Sequence, residues 1–128
     1  MFAETKAFSG FAVDDLEKAQ QFYGETLGLN TSVPQDGMLL SLEIAGDRPT
    51  LVYIKPDFVP ATYTILNFPV DDVDAAVAEL ASRGVEFERY EGMEQGENGV
   101  SRTEGGPPIA WFKDPAGNVL SVLEEEPS

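Results

Sequence analysis

The sequence predicts a mixed α+β protein in which one strand–helix–strand unit is used twice. Three observations carry this. The string Val13-Asp14-Asp15-Leu16 returns as Val70-Asp71-Asp72-Val73. Each copy leads into a stretch whose apolar residues recur at helical spacing. Each stretch stops at a glycine, in Leu27-Gly28-Leu29 and in Arg83-Gly84-Val85. Val13 and Val70 lie 57 residues apart, Gly28 and Gly84 lie 56 apart, and Ala19 matches Ala76 at 57. Such self-similarity marks one supersecondary unit repeated within the chain.

Phe8 to Val13 is predicted as a strand, with Phe11 and Val13 on one face and Phe8, Gly10 and Ala12 on the other. Asp14 or Asp15 suits the N-cap of a helix, with Glu17 in its first turn. Leu16, Ala19, Phe22, Tyr23 and Leu27 form that helix's apolar stripe, and Gly28 ends it. Phe22 and Tyr23 therefore belong to the core. Thr31-Ser32-Val33 is a short strand, Gln35-Asp36-Gly37 a turn, and Met38 to Ile44 a strand closed by Ala45-Gly46-Asp47. Leu51 to Lys55 is another strand. Pro56 and Pro60 then make an extended connector.

The second half repeats the plan. Tyr63 to Val70 is a strand with Leu66, Phe68 and Val70 on one face and Tyr63, Ile65 and Asn67 on the other. Asp71 or Asp72 caps a helix carrying Val73, Ala76, Val77 and Leu80 up to Gly84. Val85 to Tyr90 alternates as a strand does. Residues 91–106, rich in Gly and Glu, have the composition of a mobile surface loop and a candidate lid. Pro108 to Phe112 and Val119 to Leu123 are strands around an Asp114-Pro115-Ala116-Gly117-Asn118 turn, and Glu124-Glu125-Glu126 is a solvated tail. Each half thus reads as strand, helix and three strands, and neither can bury both faces of its sheet alone.

Composition narrows the chemistry. The 128 residues suffice for one domain with a core of its own. No apolar run approaches the roughly 20 residues of a membrane helix. The N-terminus has no apolar signal-peptide segment, so the cytoplasm is expected. There is no cysteine, hence no disulfide and no thiolate chemistry. A net charge of −15 disfavours nucleic acid and favours cationic ligands. There is no histidine. That removes the usual general base, the Ser-His pair and the commonest metal ligand.

The residues Val13 to Ala19, Phe22-Tyr23, Leu27-Gly28-Leu29, Val70 to Val73, Ala76 and Phe112 to Asn118 resemble the vicinal oxygen chelate superfamily in order and spacing. Glyoxalase I, bleomycin-resistance proteins and extradiol dioxygenases belong to it. The resemblance implies an α+β fold of two tandem βαβββ modules, residues 6–57 and 62–125 of a single 1–128 domain. They would form a half-open, eight-stranded barrel-like sheet with a ligand cavity, often in a homodimer. It also implies four inward strand positions where the metal enzymes place His, Gln or Glu. Seven residues before Asp15 and Asp72 these are Phe8 and Ile65, and seven after Asp114 it is Ser121. Aligning Leu51-Val52-Tyr53 with Val119-Leu120-Ser121 makes Tyr53 the fourth. Phe and Ile have no lone pair to give, and a single Ser or Tyr is a poor ligand for such ions.

The expectation is therefore a protein with no metal, no cofactor and no catalytic residue, whose pocket binds a cationic or aromatic small molecule. Its expected ligand-binding residues are Phe8, Tyr53, Tyr63, Ile65, Asn67, Trp111 and Ser121, aromatic walls with a few polar groups. The face of Trp111 is set by strand pairing, which spacing does not give. Lys55 and Lys113 are expected to be solvated. Metal-dependent glyoxalase or dioxygenase activity is not expected. Two other readings stay open: a metal-free lyase or isomerase using Tyr, Glu or Lys, and a non-catalytic regulatory partner. No nucleic-acid or membrane partner is expected.

Overall fold

The computed structural model describes residues 1–33, 39–45, 48–102 and 106–125. It divides after Pro60 into two units, Met1–Pro60 and Ala61–Ser128. The turn expected at Gln35-Asp36-Gly37 lies outside the described residues, as do Met38, Gly46, Asp47, residues 103–105 and the end of the acidic tail from Glu126.

In the first unit β1 (Gly10–Val13) leads into α1 (Leu16–Gln20), followed by β2 (Asn30–Ser32), β3 (Leu39–Glu43) and β4 (Thr50–Ile54). The sheet order is β1-β4-β3-β2, with β1 parallel to β4 and the other pairs antiparallel. Of the two candidate caps, Asp15 has the extended backbone, and its carboxylate accepts from the Lys18 amide at 3.0 Å. The helix does not stay α-helical to Gly28. Residues Gln21–Thr26 form a π-helical segment. The Leu27 amide donates to the Phe22 carbonyl and the Leu29 amide to the Tyr23 carbonyl, both at 2.9 Å. Gly28 between them takes φ +76°, a left-handed conformation that suits glycine. Tyr23 is fully buried, 5.7 Å from the Phe11 ring and 5.2 Å from the Phe22 ring. Phe11, Val13, Leu40, Leu42 and Val52 are the buried apolar residues of the sheet, and alternation places them on one face.

In the second unit β5 (Thr64–Val70) leads into α2 (Val73–Ser82), followed by β6 (Ile109–Lys113) and β7 (Val119–Glu124). The order is β5-β7-β6, with β5 parallel to β7. Asp72 caps α2 by accepting from the Ala75 amide at 3.1 Å, and Glu124 at the end of β7 accepts from the Val73 amide at 3.1 Å. These two carboxylates satisfy amides that the first turn of a helix leaves unpaired. Ala110, Phe112, Leu120 and Val122 are buried with Val73, Val77 and Val85.

The two units thus share one topology, and each sheet is open. The described residues hold seven named strands. Where the first unit has β2, the second has an isolated bridge between Phe87 and Phe112, with the Glu88 amide donating to the Trp111 carbonyl at 2.8 Å. The strand predicted at 85–90 is reduced to this contact. The Gln95 side chain supplies a reason. Its Oε1 accepts from the Tyr90 amide at 2.8 Å, and its Nε2 donates to the carbonyls of Glu88 at 2.9 Å and Gly99 at 2.7 Å. Backbone groups that a longer ladder would engage are bonded locally instead.

The same bonds set residues 95–102 apart from the loose loop that composition predicts. Arg89 donates to the Gly96 carbonyl at 2.7 Å and to that of Glu97. Asn98 donates to Asp74 on α2 at 2.8 Å, and Arg102 pairs with the same carboxylate. Gln95→Ala is expected to cost about 1–2 kcal/mol, because two carbonyls and an amide lose their partner. Hydrogen exchange should quicken across residues 88–100 and not in the β5–β7 pair.

Candidate functional site

The face of each sheet opposite the buried rows is the one on which a ligand could lie. In the second unit strand pairing decides what stands there. Asn67 is opposite Ser121, and Ser121 is opposite Trp111. Residues directly opposite share a face, so Trp111, Ser121 and Asn67 form one row across β6, β7 and β5. Pro69, Leu123 and Ile109 form the next row. The register brings together three residues from distant parts of the sequence.

The row has distinct ends. Ser121 is fully buried between its larger neighbours, and its hydroxyl donates to Asn67 Oδ1 at 2.5 Å. Asn67 is exposed and Trp111 half-buried. Tyr90 packs edge-on to the Trp111 ring, with centroids 5.4 Å apart and planes at 79°. Burial, with the Glu88 carboxylate nearby, pushes the Tyr90 phenol above its ordinary value. Lys113 and Glu88 form an ion pair at 3.3 Å.

Tyr63 and Ile65 are not in this row. The pairing of β5 with β7 shifts register between Thr64 and Leu66, leaving Ile65 without a partner of its own. Simple alternation back from Asn67 therefore does not carry to Tyr63, which stands before β5 and is 71% exposed. In the first unit Tyr53 pairs with Ala12 and Leu39, so these three share the open face. Phe8 lies ahead of β1 and is 53% exposed, with the Arg48 guanidinium 4.9 Å from its ring centroid. It lines a surface cleft of about 510 Å3 with Lys6, Arg48 and Thr50. Of the two lysines expected to be solvated, Lys55 is paired with Asp57 and Lys113 with Glu88.

The donor chemistry does not fit a divalent ion at the four positions where metal enzymes of the resembling superfamily hold one. Phe8 and Ile65 have no donor atom, Tyr53 offers a lone phenol, and Ser121 already gives its hydrogen to Asn67. Among the described residues there is no group of three or more His, Cys, Asp or Glu arranged to hold a metal. Sequence reading did not single out Tyr90, whose ring packs against Trp111. The signal was its place in the alternating Val85 to Tyr90 stretch, three residues beyond Phe87.

Comparison with known proteins agrees with this architecture. Among curated proteins no relative matches. Among solved structures, TnmS3, an antibiotic binding protein from Streptomyces sp. CB03234, is 27% identical with a TM-score of 0.69, over 98% of this chain and 99% of that one. A second protein from that organism, described as a glyoxalase/bleomycin resistance protein, is 29% identical with a TM-score of 0.59, over 91% and 99%. A superfamily member from Sphaerobacter thermophilus is 25% identical with a TM-score of 0.70, over 98% and 100%. A family model matches residues 7–122. The chain belongs to the Glyoxalase/Bleomycin resistance protein/Dioxygenase superfamily.

Proposed function

We propose that this protein is a metal-independent small-molecule-binding protein that takes a planar aromatic, cationic ligand on the open face of its second sheet. The observation that carries the reading is the row Trp111–Ser121–Asn67, an aromatic surface beside fixed polar groups. Membership of the superfamily and likeness to an antibiotic-binding member support it. The net charge of −15 favours a cation. The ligand-binding set of the proposal is Trp111, Ser121 and Asn67 of the second unit, with Tyr90. A homodimer in the cytoplasm is part of the same proposal. No helix among the described residues is long and apolar enough to cross a membrane.

A lyase or isomerase reading has less support. It needs an acid and a base poised near neutral pH. The Tyr90 phenol is shifted away from neutrality, and Lys113 is tied to Glu88.

A thermal-shift screen with planar aromatic cations such as proflavine tests the reading. A ligand present at about 100 times its Kd adds about 2.7 kcal/mol of stability and raises Tm. The shift should be lost in Trp111→Ala. No shift with any such compound, or shifts indifferent to Trp111, would contradict the proposal.

A further inference from the structure

We infer that Asn67 is a dedicated hydrogen-bond donor and that the ligand carries a carbonyl-type acceptor on the edge of its aromatic system. The inference rests on the proposed ligand site and deepens it. A buried hydroxyl must keep its hydrogen bonded, since an unmade bond there leaves the desolvation cost uncompensated. Ser121 is fully buried, and its hydroxyl donates to Asn67 Oδ1. That bond orients the amide, with Oδ1 toward Ser121 and Nδ2 turned away. The two hydrogens of Nδ2 have no partner among the described residues. Asn67 is itself exposed, so its amide stands where solvent and a ligand can reach it.

The sheet sets the ligand's length. Trp111 and Asn67 lie on β6 and β5 with β7 between them. Neighbouring strands are about 4.8 Å apart, so the two residues stand roughly 9–10 Å apart across the sheet. Ser121 between them is small. A flat molecule two or three rings wide can rest against Trp111, pass over Ser121 and present an acceptor to Asn67. An apolar ring of the same size would leave the amide hydrogens facing hydrocarbon, and a ligand offering only donors there would meet them unfavourably.

The test uses fluorenone and fluorene, tricycles that differ by one carbonyl, on the intact protein. Trp111 is the only tryptophan in the sequence, so its fluorescence reports the site directly. Fluorenone is expected to bind about fivefold to tenfold tighter than fluorene, the worth of one net hydrogen bond. Asn67→Asp keeps an acceptor for the Ser121 hydroxyl and removes both donors, and it should abolish the preference. Ser121→Ala frees the amide to turn and should reduce it. Equal affinities in the unaltered protein would overturn the donor role while leaving a ligand site at Trp111 in place. A preference that survives Asn67→Asp would overturn it as well. Failure of both compounds to perturb Trp111 while proflavine still does would overturn the inference and leave the reading beneath it in place. Failure of proflavine as well would overturn both.

Discussion

Phe112→Ala is expected to lower the unfolding free energy by about 3–5 kcal/mol. The ring is 1% exposed on the buried face of β6. It pairs with Leu120 across β6 and β7, meets the Phe87 ring at 5.7 Å with planes at 65°, and forms the bridge that holds the 85–90 segment to the sheet. Removing it opens a cavity walled by a rigid sheet that cannot collapse into the space. Whole domains are stable by only about 5–15 kcal/mol, so the variant should be close to unfolding at 37 °C. Chemical denaturation measures the loss. A cost below about 1 kcal/mol would mean that the β6 face is not the core of the second unit. The neighbouring Trp111 faces the opposite side, and its truncation should cost much less stability while removing binding.

Asp114→Ala is the second large expected effect, about 2–4 kcal/mol, because three bonds to a buried carboxylate are lost and a buried amide is left behind. Asp114 is 4% exposed. Its Oδ1 accepts from the amides of Ala116 at 3.0 Å and Asn118 at 2.9 Å, and its Oδ2 accepts from the Asn118 side chain at 3.0 Å. This turn joins β6 to β7 and so fixes their register. That register places Trp111 opposite Ser121. Asp114→Ala should therefore weaken ligand binding even where folded protein persists. Asp114→Asn is not expected to rescue it, since an amide nitrogen cannot accept from Asn118. Denaturation curves and Trp111 titrations on both variants check the two halves of the expectation. Unchanged stability would show that the backbone turn holds without the carboxylate.

Acid should act at a different place. Hydrogen bonds from Asn98 and Arg102 hold the Asp74 carboxyl below its ordinary value. A lowered folded-state pKa means that its contribution is present above the unfolded value and is lost as pH falls through the folded one. The tie between α2 and residues 98–102 should therefore loosen below about pH 4. Asp74→Asn should remove the pH dependence of hydrogen exchange in this segment. A segment as sensitive to acid in Asp74→Asn as in the unaltered protein would contradict this.

Much of the fold was legible because it is written in local chemistry. Asp15 and Asp72 are N-caps, and both helices end near glycines with positive φ. The five-residue run from Asp114 to Asn118 forms the turn its composition predicts. These signals depend on neighbours within one turn of chain. The differences arise where distant groups compete. Nothing local around Tyr90 announces that Gln95 will take its amide, so 85–90 read as a strand and 95–102 as free. The π-helical segment keeps the apolar spacing of an α-helix closely enough to be read as one. The face of the candidate site was legible in part. The register sets Asn67 opposite Ser121 and Ser121 opposite Trp111. Parity does not carry from Asn67 back to Tyr63, because a register shift is a property of two strands and alternation is a property of one.

The central claim is that a flat acceptor-bearing ligand lies across Trp111, Ser121 and Asn67. An amide correlation spectrum of nitrogen-labelled protein titrated with fluorenone tests it most directly. The single indole N–H of Trp111 and the side-chain amide pair of Asn67 are predicted to shift first and most, saturating together. Shifts confined to the α2 surface around Asp74, Val77 and Phe87, with the Trp111 and Asn67 signals unmoved, would contradict it.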